Sequence, residues 1–290
     1  MKHVLALLLF TAASLVPAPA SAQVQPQDLY VSVVDRNGAP VSDLTASDFN
    51  VREDGVAREV LRIKPATAPM QVALLLDNSQ VASSAIQLMR DGAEAFVESL
   101  AGKAEIAVVT FGERPTIMVD YTTDTAKLKA GVDRLFARPG SGAYLLDALV
   151  NVSEGLQKRE ADRPVIVVVM TEGIEFSNQH YDRVLDKIKA SGAALHVLAI
   201  GQPSGSLSDE IRNRNQVISR GTSETGGRRD QLLATTAIEP KLKQLADELT
   251  HQYLVTYARP EALIPPKKIE VTVDKPGLTA RARTVPTEPR

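Results

Sequence analysis

Between Pro69 and Leu249 the sequence carries four short, nearly unbroken apolar runs: Val72 to Leu76, Ile106 to Val109, Val165 to Val169 and Leu195 to Ile200. Runs this short and this rich in Val, Ile and Leu fit strands covered on both faces, as in a parallel sheet. Helical stripes lie between them. Ile86, Met89, Ala93, Phe96, Val97 and Leu100 recur at spacings of three and four, as do Leu145, Leu146, Leu149, Val152 and Leu156. Tyr181, Val184, Leu185 and Ile188 form a third stripe, and Ile238, Leu242, Leu245 and Leu249 a fourth. Such stripes are the core-facing sides of amphipathic helices. Strand and helix in alternation predict a doubly wound, mostly parallel α/β sheet.

The flanks read differently. Tyr30 to Asp35 alternates and runs into the turn Asn37-Gly38, and Phe49 to Val51 and Val60 to Ile63 bracket a turn at Asp54-Gly55. At the other end Tyr253 to Tyr257 alternates, as do Ile269, Val271 and Val273 and, beyond Pro276-Gly277, Leu278, Ala280 and Ala282. Three short strands on either side are each too little for a core. Together they predict one small β-sandwich with the α/β unit inserted in it. The expected division is a β flank at 23–68, the α/β domain at 69–250 and a second β flank at 251–290 packing on the first. Ala66 to Pro69 and Pro260 to Pro266 would be the connections.

Residues 1–22 read as a signal peptide. Lys2 and His3 precede the apolar run Val4 to Phe10, then come Pro17, Pro19 and the small-x-small sequence Ala20-Ser21-Ala22, with cleavage expected after Ala22. The run is far below the ~20 residues of a membrane span. No later segment re-anchors the chain, so the mature protein is expected to be periplasmic or secreted, with no membrane span. Cysteine is absent, which excludes disulfides, thiolate metal sites and lipid anchoring through a cysteine. A net charge of -2 with both signs interspersed argues against nucleic acid as partner, since phosphate binding needs a basic field.

In open α/β sheets, ligands bind beyond the carboxyl ends of the strands. The first core strand ends in Leu76-Asp77-Asn78-Ser79-Gln80-Val81 and the run Val165 to Val169 leads into Met170-Thr171-Glu172-Gly173-Ile174-Glu175. Between them, Gly140 to Leu149 opens a helix. These three segments, in this order, resemble the von Willebrand factor A (VWA) family over roughly residues 70 to 250. The flanks, with Asp48-Phe49, Glu53-Asp54-Gly55, Glu248-Leu249 and Gln252 to Tyr257, resemble a group of bacterial secreted VWA proteins. The resemblance implies a protein-interaction module and a site for a hard divalent cation: Asp-x-Ser-x-Ser after the first strand, a Thr at the helix start and an Asp-Gly after the fourth strand.

Mg2+ wants six oxygens in a near-octahedral shell at about 2.0–2.1 Å. Aligned with the family pattern, Asp77 and Ser79 match, Val81 replaces the second serine, Ala143 falls at the threonine position, and Glu172 replaces the aspartate. Three readings follow. In the first the site is vestigial, no cofactor is bound, and the fold meets an unidentified protein partner through its loops. In the second Asp77, Ser79 and Glu172 hold Mg2+, Mn2+ or Ca2+ weakly, with Ser141, Ser83 or Tyr144 standing in, and receive a partner carboxylate. In the third Ser79 is a nucleophile served by His180, His196 or His251, yet no glycine elbow accompanies it. The first reading, a non-enzymatic interaction module, is the expectation.

Residues 204–230 form a polar stretch with Arg212, Arg214, Arg220, Arg228 and Arg229. It reads as a solvated connection with the arginines on a short helix and turn, or else as a mobile basic loop for an acidic partner. Asp124 reads as a helix cap. No phosphate loop, dinucleotide fingerprint or zinc spacing occurs.

Overall fold

The structure is a computed structural model that describes residues 24–203, 208–261 and 264–286. The expected signal peptide lies outside the described residues. In chain order come strands β1 (Val24–Val34), β2 (Phe49–Glu53), β3 (Val56–Arg58), β4 (Val60–Pro65) and β5 (Met70–Leu76), helix α1 (Ile86–Ser99) and strands β6 (Ala104–Thr110) and β7 (Thr116–Thr122). Helices α2 (Thr125–Val132) and α3 (Leu145–Lys158), strand β8 (Pro164–Thr171), helix α4 (Tyr181–Ser191) and strand β9 (Ala194–Ile200) follow. The chain then forms α5 (Asp209–Thr225), β10 (Arg229–Leu232), α6 (Ile238–Thr250), β11 (Tyr253–Pro260), β12 (Ile269–Val273) and β13 (Thr279–Arg281).

The apolar runs become β5, β6, β8 and β9, the centre of a sheet ordered β10-β9-β8-β5-β6-β7. All neighbours are parallel except β7, which runs antiparallel to β6. Alternate residues of each run point to opposite faces, so every residue finds a helix layer. Val72, Leu74, Val165 and Val167 meet α1, α2 and α6, whereas Ala73, Leu75, Ile166 and Val168 meet α3, α4 and α5. A fully buried Leu, Val or Phe contributes about 1.5–3 kcal/mol. With no disulfide, this double core carries the stability.

The flanking strands pair antiparallel in two sheets, β13-β1-β11-β4 and β12-β2-β3, around Leu29, Val31, Val33, Phe49, Val51, Tyr253, Val255 and Tyr257. Phe49 meets Tyr253 edge-on at 5.4 Å. β1 begins at Val24, ahead of the alternating segment, because Val24 to Gln27 pair with Pro260 to Tyr257.

Four elements differ from the sequence expectation: β3, not the segment from Val60, closes the hairpin with β2 at Asp54-Gly55, and β4 pairs with β11 in the other sheet. β7 and β10 were not anticipated, because β7 is an edge strand with mostly half-exposed residues and β10 is polar. The stretch expected as a connection contains the 17-residue helix α5. Its signals were present: Ser208 accepts from the Ile211 amide at 3.3 Å, Asp209 and Glu210 open the first turn, and Gly226 ends the helix left-handed. Asp124 does cap α2, accepting from the Lys127 amide at 3.0 Å.

Candidate functional site

Four loops meet at the carboxyl ends of β5, β6 and β8: those that follow these strands and the one that opens α3. Asn78, after β5, ties its loop to two others: its Oδ1 accepts from the Gly112 amide after β6 at 2.7 Å, and its carbonyl from the Arg138 amide ahead of α3 at 2.8 Å. Gly112 is required there, since a Cβ would stand 2.7 Å from the Asn78 backbone. The loop opening α3 pairs with the one after β8, the Phe176 amide donating to the Ala143 carbonyl at 2.8 Å. A Cβ on Gly142 would collide with the Phe176 ring.

Asp77 and Ser79 come together here. Asp77 is fully buried; its Oδ1 accepts from the Ser79 amide at 2.8 Å and its Oδ2 from the Thr171 amide at 2.9 Å. Burial raises its carboxyl above the ordinary value, against the pull of the Ser79 hydroxyl, the two amides and the Arg214 charge. The Ser79 hydroxyl lies against this carboxylate without a hydrogen bond of good geometry, and the Thr110 and Thr171 hydroxyls are likewise buried without partners.

Glu172 is pulled the other way, into the domain. Its Oε2 accepts from Nη2 of Arg214 at 2.8 Å, and its Oε1 lies 3.4 Å from Nη2 of Arg229. Arg214 is buried and also donates Nη1 to the Gly173 carbonyl at 2.8 Å. Sequence reasoning placed Arg214 in a solvated stretch. A helical repeat reveals it, for Ile211, Arg214, Val217, Ile218 and Gly221 share the buried side of α5.

The remaining positions carry no ligand oxygen. Val81 is 46% exposed and lies over Gly173, where a Cβ would stand 2.9 Å from its Cγ2. The Ala143 methyl is buried in the core facing α3. Ser141 donates its hydroxyl to the Arg138 carbonyl at 2.8 Å, Ser83 is exposed, and Tyr144 stacks on Phe176 with centroids 5.9 Å apart. The residues present therefore do not fit a hard dication. Both Asp77 oxygens hold backbone amides, both Glu172 oxygens face guanidiniums, and neutral hydroxyls alone do not complete such a shell. Among the described residues no group of three or more His, Asp or Glu is placed to hold a metal ion.

Beside these residues sits one that the sequence did not single out. Glu175 is buried, its Oε1 accepting from the Ser177 amide at 3.2 Å and lying 3.5 Å from the Leu146 amide at the start of α3. Its Oε2 has no partner, and burial pushes the carboxyl up to about 7. Among the described residues no histidine hydrogen-bonds the Ser79 hydroxyl. His196 is fully buried in β9, His180 is exposed 3.6 Å from Asp182, and His251 accompanies Asp247 at the end of α6.

With fold and site in view, the kinship is defined. Residues 72–175 match the profile of the von Willebrand factor type A domain, and the α/β part of this chain is such a domain. Among solved structures, the chain is similar to a von Willebrand factor type A protein from Catenulispora acidiphila, with a TM-score of 0.53 at 10% identity, covering 92% of this chain and 74% of that one. Proximal thread matrix protein 1 from the mussel byssus gives 0.53 at 16% identity over 69% of this chain, which spans about half (51%) of that protein. The VWA domain of the type V pili tip protein Mfa5 from Porphyromonas gingivalis gives 0.48 at 11% identity, covering 63% and 96%. At these identities the likeness is one of fold. No curated protein matches the sequence. Among the described residues no helix is long and apolar enough to cross a membrane.

Proposed function

We propose that this chain is an exported, non-enzymatic protein-interaction module that engages its partner through the strand-end face of the VWA domain without a resident metal ion. Residues 1–22 direct export and are removed after Ala22, leaving a periplasmic or secreted protein. In it 23–68 and 251–290 form a β support for the domain at 69–250. The observation that carries the reading is the rim of the site. Val81, Ile174 and Phe176 are 46%, 59% and 49% exposed. They sit together, because Val81 lies over Gly173 and the other two follow in the same loop. A lone exposed apolar residue needs no explanation, whereas a cluster of them at the strand-end face marks a contact surface. Asp77 and Glu172 beneath are engaged internally and Glu175 is buried, which leaves the rim as the chemistry offered outward.

The test is capture from the organism's own envelope fraction, with the protein from Gln23 onward immobilised. Wild type is expected to retain one specific protein in the presence of a chelator. The double variant Ile174→Asp, Phe176→Ser is expected to lose it at least ten-fold. Capture that vanishes in chelator and returns with Mg2+ would replace this reading by a cation-dependent receptor for a carboxylate.

A further inference from the structure

The geometry points to Arg214 as the resident cation of the strand-end site: its guanidinium stands in for a divalent ion, shuts such ions out, and fixes the loop after β8 from inside. The inference rests on the interaction reading above and explains how that surface dispenses with metal. Asp77 and Glu172 bring two negative charges, and Arg214 and Arg229 bring two positive ones within the same cluster. A dication added to that balance would sit beside two guanidiniums, with both oxygens of Asp77 and of Glu172 already engaged. Coulombic repulsion at such distances is large in a site shielded from water.

A planar guanidinium has five donors in a fixed fork. Here Nη2 meets Glu172 Oε2 and Nη1 meets the Gly173 carbonyl, both at 2.8 Å, so one side chain grips carboxylate and backbone of the same loop. The Asn215 Oδ1 receives Nε and Nη2 at 3.4 and 3.3 Å. Side chains of Arg214 and Glu172 are only 1% and 4% exposed, so the pair is inaccessible to a partner. Its charge also reaches Asp77 and Glu175, lowering both carboxyls against the effect of burial. A site that takes its positive charge from a helix has no use for ligand oxygens at 81 and 143, and valine and alanine stand there.

Calorimetric titration with Mn2+ alone tests this on the chain from Gln23 onward. Wild type and the variant restored at three positions (Val81→Ser, Ala143→Thr, Glu172→Asp) are expected to show no binding. Adding Arg214→Gln to the restored variant is expected to raise Mn2+ affinity at least ten-fold. Arg214→Lys, which keeps the charge, is expected not to. Asp77→Ala in the Arg214→Gln background is expected to abolish the gain. Equal binding with and without Arg214 overturns the inference, as does a folded Arg214→Gln protein that binds nothing. Should that protein fail to fold in metal-free buffer, refolding with millimolar Mn2+ is the second readout. Recovery of structure supports the inference, and no recovery overturns it. No partner enters either measurement, so the interaction reading and this one fail separately.

Discussion

Glu172 and Glu248 are each buried between two arginines, as Glu53 is within the sandwich, and the two do different things. At the strand ends, Glu172 meets Arg214 and Arg229, both from the VWA domain. On the side facing the β-sandwich, Glu248 of α6 meets Arg228 at 3.0 Å and Arg281 of β13 at 2.6 Å. Burial pushes the Glu248 carboxyl up, but Arg281, His196 and Arg228 outweigh it and hold the group below its ordinary value. The first cluster closes a site within one domain. The second spans two, because one of its guanidiniums belongs to the sandwich. Neighbouring residues Arg228 and Arg229 serve one cluster each, their side chains leaving the start of β10 in opposite directions. The lesson is that a buried ion pair is defined by which segments supply the charges, not by its chemistry.

The largest effect expected is at the junction. Glu248→Ala leaves the Arg228 and Arg281 guanidiniums without their shared carboxylate, and breaking a buried pair on one side costs about 3–5 kcal/mol. Hydrogen exchange should quicken in β13 and at the end of α6 while β5 and β8 stay protected. A loss spread evenly over the protein would mean that Glu248 does not join the two parts.

Titration sharpens the contrast next. Burial holds the Glu175 carboxyl at about 7 against a reference of 4.5. Between those values the native state keeps a proton that the unfolded chain has lost, so stability falls as pH rises through that window. The loss is about 3 kcal/mol. His196, near Glu248, is the mirror image: burial lowers its imidazole from 6.5 to about 4. Between those values the unfolded chain holds the proton, so stability rises with pH by a similar amount, about 3 kcal/mol. The two offset each other where the windows overlap. Urea midpoints across that range should be nearly flat in wild type. They should climb with pH in Glu175→Gln and fall in His196→Leu. A flat profile in either variant would remove that residue from the comparison.

The smallest effect expected is at the rim. Val81→Ser alone should change stability by no more than about 0.5 kcal/mol, as exposed substitutions do. A thermal melt showing a larger loss would make Val81 a packing residue rather than part of an offered surface.

The α/β core was legible in the sequence because burial on both faces forces continuous apolar runs, and Val72 to Leu76 and Val165 to Val169 are such runs. The sandwich strands showed through alternation and the turns at Gly38, Gly55 and Gly277, each of which has the positive φ that favours glycine. β10 was not legible, since Arg-Asp-Gln-Leu at a sheet edge has neither period nor apolar content. At the site, Asp77, Ser79 and the replacements at 81, 143 and 172 could be aligned by motif. The partners of Glu172 could not, because a buried arginine is spelled like any surface one. Only its place in the buried stripe of α5, a turn from Ile211 and Ile218, sets Arg214 apart.

Arg163 gives the insertion a further meaning. Its guanidinium donates Nη1 to the Ala66 and Ala68 carbonyls at 3.2 and 3.3 Å and Nη2 to Gln252 Oε1 at 2.7 Å, with another bond to the Leu249 carbonyl. It thereby clasps the incoming and outgoing connections of the VWA domain at one point, under the Tyr30 ring at 5.1 Å. Pro65 and Tyr253 pair across the stem. Closing a flexible loop of roughly 190 residues would cost about 4–5 kcal/mol in chain entropy. A folded VWA domain has already met that cost, because Arg163 sits at the start of β8 and holds both ends of the loop together. The sandwich is thus assembled from two halves that its own insert delivers to each other, and a single guanidinium is the clasp.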